Sequence, residues 1–258
     1  MQQEETLSLN QGSFSLKITR KPEDVRKAQE LRYKVFFEEM SGRSSNNNKI
    51  DEDEYDPICD HMIAYDNLEN NLKVVGTYRF LRYEFIKNVK KFYTETEFDI
   101  SKLLEHYKGN IVEVGRSCIA PDYRKGPVIK LLWRGIAMYL EKYNLDLLFG
   151  CASFPGDDPN KHAVLLSYLH HFHRIQDDLA PTPLESMKAK FTLIPKEDID
   201  KKRTFAALPP LIKGYIRLGG KVGNGAVIDH NVNTTDVCVI VKKEDISKRY
   251  MDFLTPEL

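Results

Sequence analysis

The chain has 258 residues, 41% of them hydrophobic and 29% charged, which is the composition of an ordinary soluble globular protein. Its 38 basic and 38 acidic residues balance, so no overall field draws it to nucleic acid or to a bilayer. It carries no N-terminal secretory pattern, no apolar run near the roughly 18 residues of a spanning helix, and no C-x-x-C pair among its four cysteines. We therefore expect a cytoplasmic protein with free thiols.

Hydrophobic alternation and helical spacing predict an α+β protein. The predicted elements, in chain order, are strand 14–20, a helix opened by Lys21-Pro22, strands 61–66 and 72–82, helix 100–107, a strand from Ile111, a helix from Val128 to Tyr143, strand 145–151, helix 160–174 and strand 237–241. Prolines interrupt much of the chain after residue 180. This order places one strand, the one that begins at Ile111, near the middle of the fold.

That central strand carries the clearest chemical pattern, I-V-E-V-G-R-S-C-I-A-P-D-Y-R over 111–124. Glu113 and Arg116 are three apart, so on a regular strand they face opposite sides, and a bulge at Gly115 would let both serve one site. The basic loop Arg124-Lys125-Gly126 then leads into a helix N-terminus, which is a ready anion site. The sequence thus predicts an anion site beside a carboxylate that could act as a base.

Charge is distributed unevenly along the chain. Residues 51–60 hold six acidic groups and no basic one, whereas residues 120–143 hold five basic groups against two acidic ones. An acidic run is usually a solvated face, and a basic helix face is equally ordinary. The basic surplus could also steer an acidic partner by charge.

Several motifs in order carry a resemblance to a known family. They are L-R-Y-K-V-F-F-E-E-M, D-E-D-E-Y-D-P-I-C-D-H, V-V-G-T-Y-R-F-L-R, E-V-G-R-S-C-I-A-P-D-Y-R, F-G-C-A-S-F-P-G-D-D-P and L-P-P-L-I-K-G-Y, and the later G-A-V-I-D-H and T-T-D-V-C-V extend the match. The chain resembles the bacterial L-ornithine N-alpha-acyltransferases of ornithine-lipid synthesis, a hemolysin-like family distantly similar to the acyl-homoserine-lactone synthases. The resemblance implies a GCN5-related N-acyltransferase (GNAT) fold, a mixed sheet flanked by helices. It also implies an N-acyltransferase core over 1–155 and a C-terminal region over 156–258 packed on that core.

The resemblance further implies a reaction. A 3-hydroxyacyl group moves from the thioester of acyl carrier protein to the alpha-amine of L-ornithine, and the product is lyso-ornithine lipid. The donor is a co-substrate, so neither a cofactor nor a metal is implied, and an amphiphilic product implies loose association with the inner membrane surface. The alternatives are another amino acid acceptor, an acyl-homoserine-lactone-type synthase, which uses S-adenosylmethionine, and a non-enzymatic membrane-active protein.

Positions that recur in the related synthases imply a candidate site. Glu113 matches the residue that carries the base or its water relay, although it could instead pair with Arg116 or with another arginine. Arg116 matches an arginine that holds the acidic cluster or an acyl-donor group by a bidentate contact. The remaining matches are Arg32, Phe36, Asp51, Asp53, Asp56, Arg79 and Phe98. One of these aspartates could face the side-chain ammonium of the acceptor, or the arginines could simply hold the aspartates in place, and both interpretations stay open.

The loop before the helix at Val128 departs from the fold family. Acetyl-CoA-dependent members have Q/R-x-x-G-x-G/A there, whereas this chain has R-K-G-P-V-I-K. The departure puts CoA use in doubt and favours a carrier-protein donor, whose acidic surface would meet Arg124, Lys125, Lys130 and Arg134. Ser153, within C-A-S-F-P-G-D-D-P, could orient the substrate or simply form a turn.

Overall fold

The structure, a computed structural model, describes residues 7–41, 48–68 and 72–247. Within these ranges the strands are β1 (Leu7–Gln11), β2 (Phe14–Thr19), β3 (Asp60–Asp66), β4 (Lys73–Arg82), β5 (Phe98–Asp99), β6 (Ile111–Ile119), β7 (Leu147–Pro155), β8 (Thr182–Pro183), β9 (Lys221–Val222), β10 (Val227–Asp229) and β11 (Thr234–Lys242). The α-helices are α1 (Pro22–Tyr33), α2 (Ser101–His106), α3 (Val128–Lys142), α4 (Ala163–His173), α5 (Lys201–Ala207) and α6 (Pro210–Arg217). A π-helix, Lys34–Ser41, continues α1.

The described chain divides into two compact units that interleave in sequence. The first unit comprises residues 7–90 and 114–145, and the second comprises residues 91–113 and 146–247. The boundary therefore falls inside β6, between Glu113 and Val114. The sequence-based division into 1–155 and 156–258 follows different limits and stays a prediction.

In the first unit, helices cover both faces of the sheet. The strands β1, β2, β3 and β4 pair in antiparallel order, and β6 follows β4. Alternate residues of a strand face opposite sides, so Ile63 and Met62 of β3 contact different helices. Ala28 of α1 packs with Ile63 and Tyr65, whereas Gly135 of α3 lies against Met62. Every residue of β3 is buried as a result.

Gly135 allows α3 to approach the sheet closely. A Cβ atom at this position would collide with Met62 Sδ and with the side chain of Leu16. Cores are packed as densely as organic crystals, so even one added carbon would force a neighbour to move. This contact holds α3 on β2 and β3.

The second unit contains the parallel part of the sheet. Its strand order is β6, β7, β11 and β10, with β9 also beside β11. The pair β6 and β7 is parallel and aligns Glu113 with Phe149, whereas β11 pairs antiparallel with β7 and with β10. Eight of the nine residues of β11 are buried, which fits a strand covered on both faces.

The predicted α+β class, with a mixed sheet and flanking helices, is confirmed. The predicted strand 145–151 is observed as β7, which continues to Pro155. The sequence pattern does not predict α5 or α6, because Pro209 and Pro210 suggest a break in structure. In the fold Pro210 occupies the first turn of α6, where proline is well tolerated.

Candidate active site

A closed ring of arginine and aspartate side chains lies in the first unit. Each guanidinium group contacts two carboxylates, and each carboxylate contacts two guanidinium groups. We call it the arginine–aspartate ring, and its members in order are Arg32, Asp51, Arg116, Asp53, Arg79 and Asp56. The structure thus brings together six of the positions that the family resemblance implies.

Arg32 on α1 is the most enclosed member of the ring, with 0% of its side chain exposed. Its Nε donates to Asp51 Oδ2 at 2.7 Å, and its Nη1 and Nη2 donate to Asp56 at 3.0 and 2.8 Å. The backbone carbonyl of Asp51 accepts a further hydrogen bond from Arg32. One buried side chain therefore fixes two points of the segment that precedes β3.

Arg79 on β4 and Arg116 on β6 complete the ring. Arg79 Nη1 lies 2.6 Å from Asp53 Oδ1 and 2.9 Å from Asp56 Oδ1. Arg116 Nε lies 3.1 Å from Asp51 Oδ2, and its Nη2 lies 3.3 Å from Asp53 Oδ2. Charge-assisted contacts of this kind are the stronger class of protein hydrogen bond, so the ring ties α1, β4 and β6 to one acidic segment.

The backbone of β6 is irregular at Arg116 rather than at Gly115. Arg116 has φ +49°, a left-handed conformation that costs a residue with a Cβ roughly 1–2 kcal/mol. The two contacts of its guanidinium group within the ring help to hold it there. A bulge at Gly115 that brings Glu113 and Arg116 to one site stays a prediction.

The ring keeps Asp53 and Asp56 charged despite their burial. Burial opposes the charge of Asp56, but the hydrogen bonds and charge of Arg32, together with the charge of Arg79, outweigh it and lower the pKa. The pKa of Asp53 is also lowered, because Arg79 and Arg116 outweigh the effect of burial. These carboxylates are ionised at neutral pH and already face cations.

His61 lies beside the ring as a neutral side chain. Burial, aided by the charges of Arg32 and Arg79, lowers its pKa to about 4, although Asp56 acts in the opposite direction. Its Nε2 lies 3.0 Å from the carbonyl oxygen of Asp56, so Nε2 carries the proton and donates it. Three guanidinium groups then balance three carboxylates, which favours the interpretation that the arginines hold the aspartates in place. Recognition of an acceptor by these aspartates stays a prediction.

Glu113 lies in the second unit, on the part of β6 that pairs with β7, and is 5% exposed. Its Oε2 accepts the N–H of Tyr93 at 3.0 Å, and its Oε1 accepts the N–H of Thr94 at 2.5 Å. These are the first N–H groups of the 3-10 turn Tyr93–Thr96, so Glu113 holds this turn in place. A carboxylate offers about four lone-pair sites, so it can still accept a proton. Its role as a base stays a prediction.

Three buried carboxylates that the sequence analysis does not single out cluster in the second unit. They belong to Glu97, Asp229 and Asp236, their oxygens lie within 4.8 Å of one another, and we call them the acidic trio. Burial raises the pKa of Asp236 to about 6, and the charge of Asp229 adds to this, while the Ser153 and Thr234 hydroxyls act against it. Carboxylate oxygens at this spacing can hold a hard divalent cation or an ammonium group.

The remaining predicted substrate-binding residues have different surroundings. Ser153 is half-buried on β7 directly opposite Asp236, so it belongs beside the acidic trio. Phe98 follows the trio member Glu97 in sequence and is completely buried in β5. Phe36, in the π-helix of the first unit, packs against a core cluster that includes Leu31. Direct contact of these residues with substrate stays a prediction.

The four predicted carrier-binding cations differ in their availability. Arg124 donates from both terminal nitrogens to the carboxylate of Glu39, at 2.6 and 2.7 Å. Arg134 donates to the side-chain oxygen of Gln11 at 3.1 Å. Lys125 is exposed and Lys130 is half-buried. Of the four, Lys125 is therefore the cation that an acidic partner could reach most easily.

Comparison with known proteins adds independent observations. An acetyltransferase (GNAT) domain model matches residues 31–134. The chain is 40% identical over 253 residues to the L-ornithine N(alpha)-acyltransferase of Brucella abortus (strain 2308), covering 95% of this chain and 90% of that protein. It is 41% identical over 249 residues to the L-ornithine N(alpha)-acyltransferase of Rhizobium meliloti (strain 1021), covering 94% of this chain and 84% of that protein.

Solved structures support the fold. The structure of a CoA-dependent acyl-homoserine lactone synthase, BjaI, with MTA matches with a TM-score of 0.51 at 14% sequence identity. The match covers 91% of this chain and 82% of that chain. At this level of identity the likeness concerns the fold alone.

A mixed sheet with flanking helices that matches the GNAT domain defines an N-acyltransferase, and the predicted enzyme class is confirmed. The identity to curated relatives extends well beyond the matched domain, over 94–95% of the chain. The chain belongs to the family of L-ornithine N(alpha)-acyltransferases, as its motifs predict.

Proposed function

We propose that the protein transfers a (3-hydroxy)acyl group from the thioester of acyl carrier protein to the alpha-amine of L-ornithine. The product is lyso-ornithine lipid, and the reaction is the first step of ornithine-lipid synthesis. The observation that carries this proposal is 40% identity, over 95% of the chain, to a protein named L-ornithine N(alpha)-acyltransferase. A match of that extent includes segments of both compact units.

The proposed reaction forms a C–N bond and breaks a C–S bond. The neutral alpha-amine attacks the thioester carbonyl carbon, the nitrogen then loses a proton, and the phosphopantetheine thiol leaves protonated. At neutral pH the amine is mostly ammonium, so a positioned base contributes roughly 10²–10⁴-fold to the rate. Glu113 takes the proton that the nitrogen loses, either directly or through a water molecule. The hydrogen bonds that it accepts from the N–H groups of Tyr93 and Thr94 fix its orientation.

The arginine–aspartate ring has a supporting role in this proposal. Arg116 holds Asp51 and Asp53 through contacts of 3.1 and 3.3 Å, so it acts as a positioning residue for the segment before β3. Arg32 and Arg79 hold Asp56 in the same way. The ring thereby keeps α1 and β6 in a fixed relation while substrates bind and leave.

Acyl carrier protein is the proposed donor because the loop before α3 lacks the glycine pattern of the CoA-dependent members of the fold. Carrier proteins are acidic, and the exposed Lys125 stands in that loop. Electrostatic complementarity of this kind mainly raises the rate of association, and salt weakens it. The proposed carrier-binding residues are Arg124, Lys125, Lys130 and Arg134, and no further cofactor takes part.

In the part of the chain that the structure describes, no helix is both long and apolar enough to cross a membrane. We propose that the enzyme acts in the cytoplasm and associates with the inner membrane surface as its amphiphilic product forms. Fractionation of cells that make the product tests this idea. Recovery of the protein only in the soluble fraction would contradict membrane association.

A mass-spectrometric assay of the purified protein with 3-hydroxyacyl carrier protein and L-ornithine tests the proposed reaction. We expect a lyso-ornithine lipid acylated on the alpha-amine, and no such product with 3-hydroxyacyl-CoA alone. Product formation with CoA as the donor would remove the carrier-protein part of the proposal. Turnover with another amino acid but not with ornithine would refute the acceptor while leaving the enzyme class intact.

A further inference from the structure

The acceptor in the proposed reaction carries a second amino group at the end of its side chain. A primary amine of this kind is an ammonium ion at neutral pH. A buried site that selects it needs carboxylates whose charge is not already neutralised. The aspartates of the arginine–aspartate ring do not meet this condition, because each faces two guanidinium groups.

Two members of the acidic trio, Asp229 and Asp236, meet this condition. Among the residues that the structure describes, neither Asp229 nor Asp236 forms an ion pair with a lysine or an arginine. The influences on Asp236 are burial, two hydroxyl groups and a second carboxylate, that of Asp229. Like charges so close together are unfavourable in a buried setting unless a cation or a proton joins them.

Unsatisfied polar atoms point into the same cluster. Asp236 is 4% exposed, and Thr234, two residues earlier on the same face of β11, is 0% exposed. Within the described chain, Asp236 Oδ1 and Thr234 Oγ1 have no partner at full hydrogen-bond geometry, although the Ser153 and Thr234 hydroxyls lie close enough to the Asp236 carboxylate to act against the rise of its pKa. Thr234 also lies directly opposite Asp229 of β10, so it is a strand neighbour of two members of the trio. Buried polar atoms are normally paired, so a hydrogen-bonding ligand would satisfy them.

Strand pairing places the trio on the face of the sheet that carries Glu113. Glu113 lies opposite Phe149 of β7, and Ser153 follows Phe149 by four residues on the same face. Asp236 of β11 lies opposite Ser153, and paired residues share a face. The candidate base and the trio therefore line one side of the second unit.

The charges of Glu113 and of the trio member Glu97 both act on the thiol of Cys238. Burial raises the pKa of this thiol, and the charges of Glu113 and of Glu97 both add to the effect. Both carboxylates therefore lie near the same side chain.

We propose that Glu97, Asp229 and Asp236 bind the side-chain ammonium of the acceptor while its alpha-amine is directed toward Glu113. The inference rests on the proposed function and assigns the residues that determine acceptor specificity. An ammonium group has three N–H donors, one for each carboxylate of the trio. A substrate without that group would leave Asp229 and Asp236 without a cation, and such sites discriminate strongly.

The test compares acceptors in an assay of the full-length enzyme with 3-hydroxyacyl carrier protein as the donor. L-norvaline has the carbon chain of ornithine without the ammonium, and L-citrulline replaces the ammonium by a neutral group. In Asp236→Asn, we expect kcat/KM for ornithine to fall about 10–100-fold, which is the equivalent of one lost charge-assisted hydrogen bond. The kcat/KM of this variant for norvaline should equal that of the wild type. Asp178→Asn, an exposed acid of the same unit, is the matched control and should behave as the wild type.

Asp236→Asn removes one of three clustered buried carboxylates, so the variant should fold as the wild type does. We expect its melting temperature to be no lower than that of the wild type. Asp229→Asn provides a second variant with the same expected loss of preference. An equal fall for ornithine and norvaline, or no fall for either, would overturn the assignment while leaving the proposed function in place. A wild-type enzyme that does not acylate ornithine would instead refute the proposed function itself.

Titration calorimetry with Mg²⁺ and with Ca²⁺ separates an ammonium site from a metal site. We expect no binding of either ion to the trio in the wild-type protein at physiological concentration. Binding that is present in the wild type and absent in Asp236→Asn would reassign the trio to a divalent cation and overturn the proposal.

Discussion

Removing Arg32 from the arginine–aspartate ring is predicted to destabilise the first unit severely. Arg32→Met keeps the apolar stem but removes four hydrogen bonds from a side chain with no exposed surface, and it leaves Asp51 and Asp56 with one cation each. Loss of one partner of a buried ion pair typically costs about 3–5 kcal/mol. A domain has only about 5–15 kcal/mol of net stability, so about a fifth or more of the total should be lost.

The same helix offers a matched control. Arg26 of α1 pairs with Glu30 at 3.7 Å, but the two side chains are 48% and 53% exposed. An exposed pair at this spacing contributes about 0.3–0.5 kcal/mol, so Arg26→Met should be nearly neutral. Urea denaturation followed by circular dichroism and by the fluorescence of the single tryptophan gives both free energies of unfolding. A difference between the two variants below about 1 kcal/mol would refute the reasoning, because buried and exposed pairs would then be equivalent.

Three further predictions concern pH, catalysis and the donor. The pKa of His61 falls from 6.5 to about 4 on folding, so as the pH is lowered His61 is protonated in the unfolded chain before it is protonated in the folded one. The free energy of unfolding should therefore drop by about 2 kcal/mol between pH 7 and pH 5. In His61→Gln this part of the loss should disappear, and an unchanged pH dependence of unfolding would contradict it. Glu113→Gln should lower kcat by about 10²–10⁴-fold with the circular dichroism spectrum retained, and near-normal turnover would exclude Glu113 as the base. Lys125→Glu should raise KM for the acyl carrier protein at low salt but not at high salt. The control, Lys202→Glu on α5, should leave KM unchanged at both salt concentrations. A rise in KM for Lys125→Glu that does not depend on salt would argue against charge steering.

Local patterns in the sequence predict the elements that local interactions determine. Alternation of apolar residues gives β2 and β6 nearly to their ends, and helical spacing gives α3, because each element has one consistent buried face. The helix α6 is harder to predict, since a proline pair can either break a helix or begin one. Only the surrounding packing, which is not local, determines which of the two occurs.

The candidate site shows the same division between local and long-range information. The resemblance brings the ring residues together correctly as a group, but sequence alone does not reveal that each aspartate is shared by two arginines. Sequence patterns do not reveal the acidic trio, because Glu97 lies far along the chain from Asp229 and Asp236. The available signal is an acid inside an otherwise apolar strand, Asp236 in T-T-D-V-C-V, since a buried charge requires a partner.

Two aspartates with similar exposure show why position in sequence does not identify the acceptor site. Asp56 is 6% exposed and Asp236 is 4% exposed, yet the pKa of the first is lowered and that of the second is raised to about 6. Arginines neutralise Asp56, whereas burial favours the protonated, neutral form of Asp236. A bound ammonium would replace that proton.

Binding of ornithine to the trio should therefore release a proton. Calorimetric titrations near pH 6, in buffers of different ionisation enthalpy, should show more proton release with ornithine than with norvaline. The reason is that the pKa of Asp236 is raised in the free enzyme. Norvaline corrects for any proton lost from the alpha-amine, which both acceptors carry. The difference should vanish in Asp236→Asn. Equal proton release by the two acceptors in the wild type would mean that the side-chain ammonium does not reach Asp236.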